Sequence, residues 1–316
     1  MNAVSNAVLR QDLNSFVEEV SAVDDFFIAE KVAPVYSSDV KDGQYPKFKV
    51  ASGELLNPES TTRTPTGAYG RVTRQYDTDT FSTIDRGLEE LVDDSQKKDI
   101  KRFFNAEVQA AKLVKRSMRL SHELRIANIY FNNGNWNTTN SLVAYTNANL
   151  ATINVVGDVL NAIDRLVNKG YMPNTLIMSS NVFTRLRQTT NLQNYLRGNR
   201  PSDSQILVSQ KDIAAAFGLD NCFIGRLPYN TAGKGKPASL SPVWSNTYMW
   251  VGEVMGGDLF AGGTVRTIVW NPEGGLWVTE TYRDESRRSD VVRVRNHTTE
   301  KIVDGFAGEL IATQYA

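Results

Sequence analysis

Residues 174–196 read NTLIMSSNVFTRLRQTTNLQNYL. Thr175 to Met178 form a short apolar run between polar residues, the pattern of a strand buried on both faces. Ser180 or Asn181 can cap a helix over 182–188, because a short side-chain oxygen there accepts from an unpaired N–H of the first turn. The surroundings repeat this alternation. Residues 155–166 place apolar side chains at helical spacing, and Gly170 follows Lys169 at the end. Residues 206–208 read as another strand. Ser209 caps a helix over 211–217, Gly218 stops it, and 221–224 form a third strand. The region 150–225 is therefore a compact α/β unit.

Upstream, 85–131 carries the strongest helical signal. Ile100, Phe103, Phe104, Ala111, Val114, Met118 and Ile129 keep a largely helical spacing, and no proline interrupts them. From Ser95 onward the pattern predicts one helix about 50 Å long at 1.5 Å per residue, ending at Asn132-Asn133-Gly134. Asp93, Asp94 and Asp99 lie near its expected start. Lys112, Lys115, Arg116, Arg119 and Arg125 lie in its second half, as the helix dipole favours. Such a length suggests a spanning or scaffolding element.

Before it, 45–50 and 71–81 are rich in β-branched and aromatic residues and read as two strands. The polar stretch 52–70 joins them. A two-stranded ribbon is marginal alone in water, so it packs on its own body or on another subunit. Residues 1–30 are acidic: Asp12, Glu18, Glu19, Asp24, Asp25 and Glu30 face only Arg10, a net of −5. Leu9, Leu13, Phe16, Val17 and Val20 recur at helical spacing. This is either a surface helix on its own domain or an arm that reaches a neighbour.

Downstream of the α/β unit the chain turns to β structure. Residues 248–254 read as a strand. Residues 264–271 and 275–283 read as a hairpin through Asn271-Pro272-Glu273-Gly274, and 291–295 with 301–303 as a second hairpin through 296–300. Residues 310–313 are expected to close this sheet.

Composition narrows the function. Hydrophobic residues make up 41% and charged residues 22% of 316, the balance of a globular protein of about two domains. Lys and Arg total 35, as do Asp and Glu. A neutral chain argues against a dedicated nucleic-acid binder. Cys222, the single cysteine, cannot form a disulfide within the chain and fits a reducing compartment. No run of about 18 apolar residues predicts a membrane span, and Met1 to Arg10 shows no secretory signal.

Catalytic patterns are sparse. The two histidines, His122 and His297, lack metal-ligand spacing with Cys222 or with each other. In Ser121-His122-Glu123, successive helical side chains point about 100° apart, so they cannot align as nucleophile, base and orienter. His122 is expected at the surface. Ala232-Gly233-Lys234-Gly235-Lys236 lacks the phosphate-loop spacing, and Pro237 stands in the Ser/Thr place. Arg185, Arg187, Arg197, Arg200 and Lys211 face only Asp203, a net of +4 that suits a solvated face, an acidic neighbour or a phosphate. Neither a catalytic residue, a metal site nor a cofactor is expected.

The order of elements is acidic arm, ribbon loop, long helix, compact α/β unit, β tail. It resembles the major capsid proteins of tailed bacteriophages, with the Hong Kong 97 type fold. Residues 174–196 look like the axial-domain strand and helix of such coats. Residues 289–312, SDVVRVRNHTTEKIVDGFAGELIA, are similar to their closing β segment. The resemblance implies an α+β fold divided into an N-arm (1–40), an extended loop (41–84), a spine helix and peripheral domain (85–149), an axial domain (150–263) and a C-terminal β segment returning to the peripheral domain (264–316). It implies a virion coat protein, made in the bacterial host cytoplasm, that self-assembles as pentamers and hexamers into an icosahedral shell around double-stranded DNA. Because only residues 1–40 precede the ribbon, a separate scaffolding protein is expected. A portal protein, weakly contacted DNA and an optional decoration protein complete the implied partners. An encapsulin-like nanocompartment shell is the alternative, and an α/β enzyme a more remote one. Opposite charges make Glu18, Glu19, Asp24 and Asp25 of the arm, and Lys112, Lys115, Arg116 and Arg119 of the helix, the candidate intersubunit contacts.

Overall fold

The computed structural model describes residues 8–9, 26–48, 61–63, 65–71, 76–95, 106–198, 207–259 and 262–315. In chain order the elements begin with β1 (Val8–Leu9), α1 (Ala29–Val32), β2 (Val35–Ser38), β3 (Asp42–Phe48), β4 (Tyr76–Ser82), β5 (Ile84–Asp93), α2 (Ala106–Tyr130) and β6 (Asn137–Asn140). Next come α3 (Val155–Asn168), β7 (Thr175–Ser179), α4 (Ser180–Gln188), α5 (Thr190–Arg197), α6 (Gln210–Ala216), β8 (Asn221–Gly225), β9 (Pro228–Asn230) and β10 (Leu240–Pro242). The last are β11 (Tyr248–Gly252), β12 (Val265–Trp270), β13 (Val278–Asp284), β14 (Ser289–Ile302) and β15 (Gly308–Ala312).

A five-stranded sheet in the order β6-β15-β11-β7-β8 organises the α/β unit. Its side chains alternate between two cores, as the pleat dictates. Leu176, Met178, Met249, Val251 and Ile311 point to one core, with Val159 and Leu166 of α3, Val182 and Leu186 of α4, and Ile213 of α6. Ile177, Trp250 and Leu310 point to the other, where they meet Ile126, Ala127 and Tyr130 of α2. Both faces are covered, which is why β7 reads as a continuous apolar run. Ser179, one residue earlier than expected, caps α4, and Ser209 caps α6 with a full capping box through Asp212.

A six-stranded sheet holds the β tail. β14 is a single strand of 14 residues, so the hairpin expected within 291–303 does not exist. The hairpin expected between 264–271 and 275–283 is absent too. β12 pairs with residues 298–302 of β14, and β13 with residues 289–295. Val294 pairs with both Thr279 and Leu88, and Thr298 with both Val269 and Ile84. β12 and β13 therefore run consecutively along one edge of β14, and β5 takes the other. Asn271–Glu273 form a 3-10 turn closed by Gly274, within a link between two strands that run in file, and not a reversal. The closing strand β15 joins the five-stranded sheet between β6 and β11, not the β tail.

β5 also corrects the helix. Residues 84–93 form a strand along ten residues of β14, although Leu88-Glu89-Glu90-Leu91 are good helix formers. Long-range pairing overrides local propensity here. Asp93 ends this strand, and Asp94 and Ser95 are helical, so these two acids do lie at a helix start. Asp93 accepts from Ser95, and Asp94 takes Arg283 through two bonds of 2.6 and 2.7 Å. Ile100, Phe103, Phe104 and Asp99 lie outside the described residues. α2 spans 25 described residues, about 37 Å. Ala110, Ala111, Val114 and Met118 pack on Val292 and Val294 of the six-stranded sheet, and its last turns on the five-stranded one. It spans the two sheets, as its length suggested.

Two smaller expectations fail. Val8 and Leu9 pair with Thr281 and Glu280 as a strand, not as part of a helix. Leu207 and Val208 belong to no described strand, and Leu207 is 85% exposed.

Candidate assembly surfaces

Where α2 passes from one sheet to the other, its side chains turn polar. Glu123 is fully buried and ties its own helix to two other parts of the chain. Its Oε1 and Oε2 accept from the Ile28 N–H at 3.1 and 3.2 Å, and Oε2 from the Ala29 N–H at 2.8 Å. Its Oε1 also accepts from Trp244 Nε1 at 2.7 Å. Ile28 and Ala29 open α1, so a carboxylate from a distant helix caps the short helix that ends the N-terminal segment. Burial pushes the Glu123 carboxyl above the usual carboxylate range, while Trp244, Ala29, Ile28 and Arg119 pull it back.

His122, expected at the surface, is 1% exposed. Its Nε2 lies 3.2 Å from Thr267 Oγ1 and 3.7 Å from Glu300 Oε1, and Glu300 is held by Arg125 at 2.8 Å. Burial lowers its pKa to about 4, so the imidazole is neutral at pH 7. Nothing in the letters 121–123 announces this. The only available signal was their place within the apolar stripe, which turns His122 and Glu123 inward together with Met118 and Ile126.

The four basic candidates on α2 separate. Arg116 is exposed and Lys112 half-buried, whereas Lys115 is 2% exposed and so is not a surface contact of this subunit. Arg119 Nε lies 3.3 Å from Glu30 Oε1, and its guanidinium sits 4.3 Å over the Phe27 ring. The acidic arm's last carboxylate thus meets the helix within one chain. Glu18, Glu19, Asp24 and Asp25 lie outside the described residues.

The ribbon is the second feature. β3 and β4 pair from Asp42↔Ser82 to Phe48↔Tyr76, the two strands expected from sequence. Tyr45 and Phe81 at its base pack on Leu259, Ile268 and Val303, on the sheet face opposite α2. Tyr45 Oη donates to Asp79 Oδ2 at 3.1 Å. Thr83 pins the point where ribbon becomes sheet: its N–H and hydroxyl both donate to the Lys41 carbonyl, and its Oγ1 lies 2.8 Å from His297 Nδ1. Arg63 stacks 4.8 Å from the centroid of the exposed Tyr69 ring farther out.

Among the described residues no group of three metal-ligating side chains converges. Burial pushes the Cys222 thiol up to about 12, which makes it a poor nucleophile at neutral pH. No helix among them is long and apolar enough to cross a membrane.

No family model and no curated relative matches the chain. Solved structures do. A phage-related protein from Bordetella bronchiseptica RB50 aligns over 98% of both chains, with TM-score 0.70 and 20% identity. The capsid of cyanophage P-SCSP1u aligns over 93% of this chain and 87% of its own, with TM-score 0.56 and 10% identity. A virus-like particle from Pyrococcus furiosus aligns over 96% of both, with TM-score 0.55 and 11% identity. The chain has the Hong Kong 97 type capsid fold. Within this fold, the two sheets bridged by α2 form the body, and the β3–β4 ribbon is a separate two-stranded sheet packed on it through Tyr45 and Phe81. Glu123 sits at the bridge, where the N-terminal segment, the helix and the segment before β11 converge.

Proposed function

We propose that this protein is a major capsid protein, a structural shell subunit and not an enzyme. Copies of the chain build rings of five and six that close into an icosahedral shell around double-stranded DNA. The observation that carries this reading is the fold shared with a cyanophage capsid over 93% of this chain and 87% of that one, together with a two-stranded ribbon whose Tyr45 and Phe81 pack on the body. In this reading residues 1–40 are the N-arm, 41–84 the extended loop, 85–149 the spine helix and peripheral domain, 150–263 the axial domain, and 264–316 a closing segment whose last strand enters the axial sheet. A separate scaffolding protein directs closure, a portal protein occupies one vertex, and a decoration protein is an optional addition. A neutral chain suits a container, because each neutralised phosphate would add salt-dependent grip on the DNA.

A second reading is a nanocompartment shell that encloses proteins; the Pyrococcus virus-like particle shares the fold with TM-score 0.55, against 0.56 for the cyanophage capsid, so the fold alone does not choose between them. Expression with the neighbouring genes, followed by negative-stain microscopy and nuclease-protection analysis, separates the readings. Closed particles with protected DNA are expected. Particles holding only protein establish the second reading, and a chain that stays monomeric under all such conditions ends both.

A further inference from the structure

One end of the five-stranded sheet is made of loops that lie side by side. Gly252, the last residue of β11, pairs with Thr175, which opens β7, and with Gly308, which opens β15. Thr175 pairs in turn with Asn221, which opens β8. The loops before β15, after β11, before β7 and before β8 therefore follow one another in the order of the strands. Hydrogen bonds fasten them. The Glu253 N–H donates to the Ala307 carbonyl, and the Asp220 N–H to the Asn174 carbonyl. The Asn174 side chain exchanges bonds of 2.9 and 3.0 Å with the Val254 backbone, and the Tyr171 hydroxyl donates to Asp304 Oδ2 at 2.7 Å.

This end is both apolar and acidic. Phe306, Met255 and Met172 stand on three successive loops and are 57, 38 and 81% exposed. Segments 170–174, 218–220, 253–258 and 303–307 hold Asp220, Glu253, Asp258 and Asp304 and neither Lys nor Arg, a net of −4. Lys169, at the end of α3, is held by Glu309 at 3.0 Å. Burial, and then the charge of Asp304, raise the Glu253 carboxyl above the usual carboxylate range, a penalty that a docked cation removes. Neighbouring strands lie about 4.8 Å apart, close to the ~5.4 Å pitch of an α-helix, so a helix laid across these strand ends passes about one turn over each loop. Apolar residues at i, i+4 and i+7 of such a helix meet Phe306, Met255 and Met172, the two methionines adapting to their shape. Bases on its flanks meet the carboxylates. Arginines of this chain are committed at home: Arg185 to Tyr315, Arg283 to Asp94, Arg293 to Glu89 and Arg295 to Glu280. The complementary charge therefore comes from elsewhere.

We infer that this loop end docks a basic amphipathic helix of a second protein, with Phe306, Met255 and Met172 as the apolar contacts and the surrounding carboxylates as the charge contacts. The inference goes beyond the shell reading and is tested on the subunit itself.

The probe is a fluorescent amphipathic helix of leucine and lysine, about five turns long, titrated into the full chain. It should bind the wild type, more weakly as salt rises, and the same helix with glutamate in place of lysine should not bind. Met172→Ser with Phe306→Ser should weaken binding about tenfold without moving the thermal midpoint, because both side chains are exposed. Asp220→Asn with Glu253→Gln should weaken it by a similar factor and flatten the salt dependence. Leu142→Ser lies just beyond the opposite end of the sheet, after β6, and should bind as the wild type does. Absence of binding to the wild type overturns the inference, as does equal binding by the wild type and both double variants. If the wild-type chain self-associates and the Met172→Ser/Phe306→Ser chain does not, the surface is a contact between copies and the inference is likewise overturned. Because the probe is read on the subunit, failure of the shell reading does not move this test.

Discussion

At the scale of single residues, the polar pair in α2 carries the clearest consequences. His122 has a folded pKa of about 4 against an ordinary 6.5. The unfolded chain therefore binds a proton in that interval that the folded chain refuses, and stability falls as pH drops from 6.5 to 4. Urea unfolding across that window should show this slope, and the His122→Gln variant should flatten it. Glu123 acts in the opposite sense, because its raised pKa favours the folded state below the ordinary carboxylate value and loses that contribution as pH rises through the folded one. Glu123→Gln leaves fewer acceptor sites for three buried donors, so it should cost about 1–3 kcal/mol for each donor left unmet, read by chemical denaturation. Gly252 and Gly308 pair across β11 and β15 beneath Trp250, and a Cβ on either would meet its indole ring at 2.5 Å. Gly308→Ala should therefore cost about 1–3 kcal/mol through overpacking. An unchanged melting temperature would show that Trp250 can move aside.

At the scale of elements, α2 and the ribbon should respond in opposite ways. Met118 is 5% exposed and packs with Val114, Trp277 and Val294 under α2. Met118→Ala should destabilise the isolated subunit by about 2–5 kcal/mol, measured by thermal or urea unfolding. Replacing residues 52–70 with a short turn removes no residue of the base cluster Tyr45, Phe81, Leu259, Ile268 and Val303. The subunit should fold with little change in stability, since loop length enters only logarithmically. Shell formation should fail or give fragile particles. Normal particles with normal thermal stability would show that the loop makes no contact between subunits.

At the scale of the whole molecule, the acidic arm and the basic half of α2 carry opposite charge on one chain. The Glu30–Arg119 pair shows how the end of the arm meets the helix. Removal of residues 1–25, or charge reversal at Glu18, Glu19, Asp24 and Asp25, should spare the folded subunit and weaken assembly. Each exposed pair contributes only about 0–1 kcal/mol, but a closed shell repeats it in every copy. The deficit should be largest at low salt, where screening is weakest. Wild-type yield across a salt series would make these acids a solvated face.

Local pattern alone determined the strand–helix unit around residues 175–188, the capped α6, the two ribbon strands and the helical core of α2. In each, the side-chain period agrees with the final structure, and in α6 the capping residue Ser209 does too, so no distant partner is needed to decide it. Tertiary structure decided the rest. β5 is a strand because β14 offers it ten residues of ladder. β12 and β13 flank β14 in file because both find partners on that strand, and a turn-like Asn-Pro-Glu-Gly cannot distinguish a 3-10 excursion from a reversal. His122 and Glu123 are buried because two sheets and the segment at Ile28 close around α2 there, bringing together residues about a hundred positions apart. Sequence spacing records which side of a helix a residue occupies. Only the folded chain decides what covers that side.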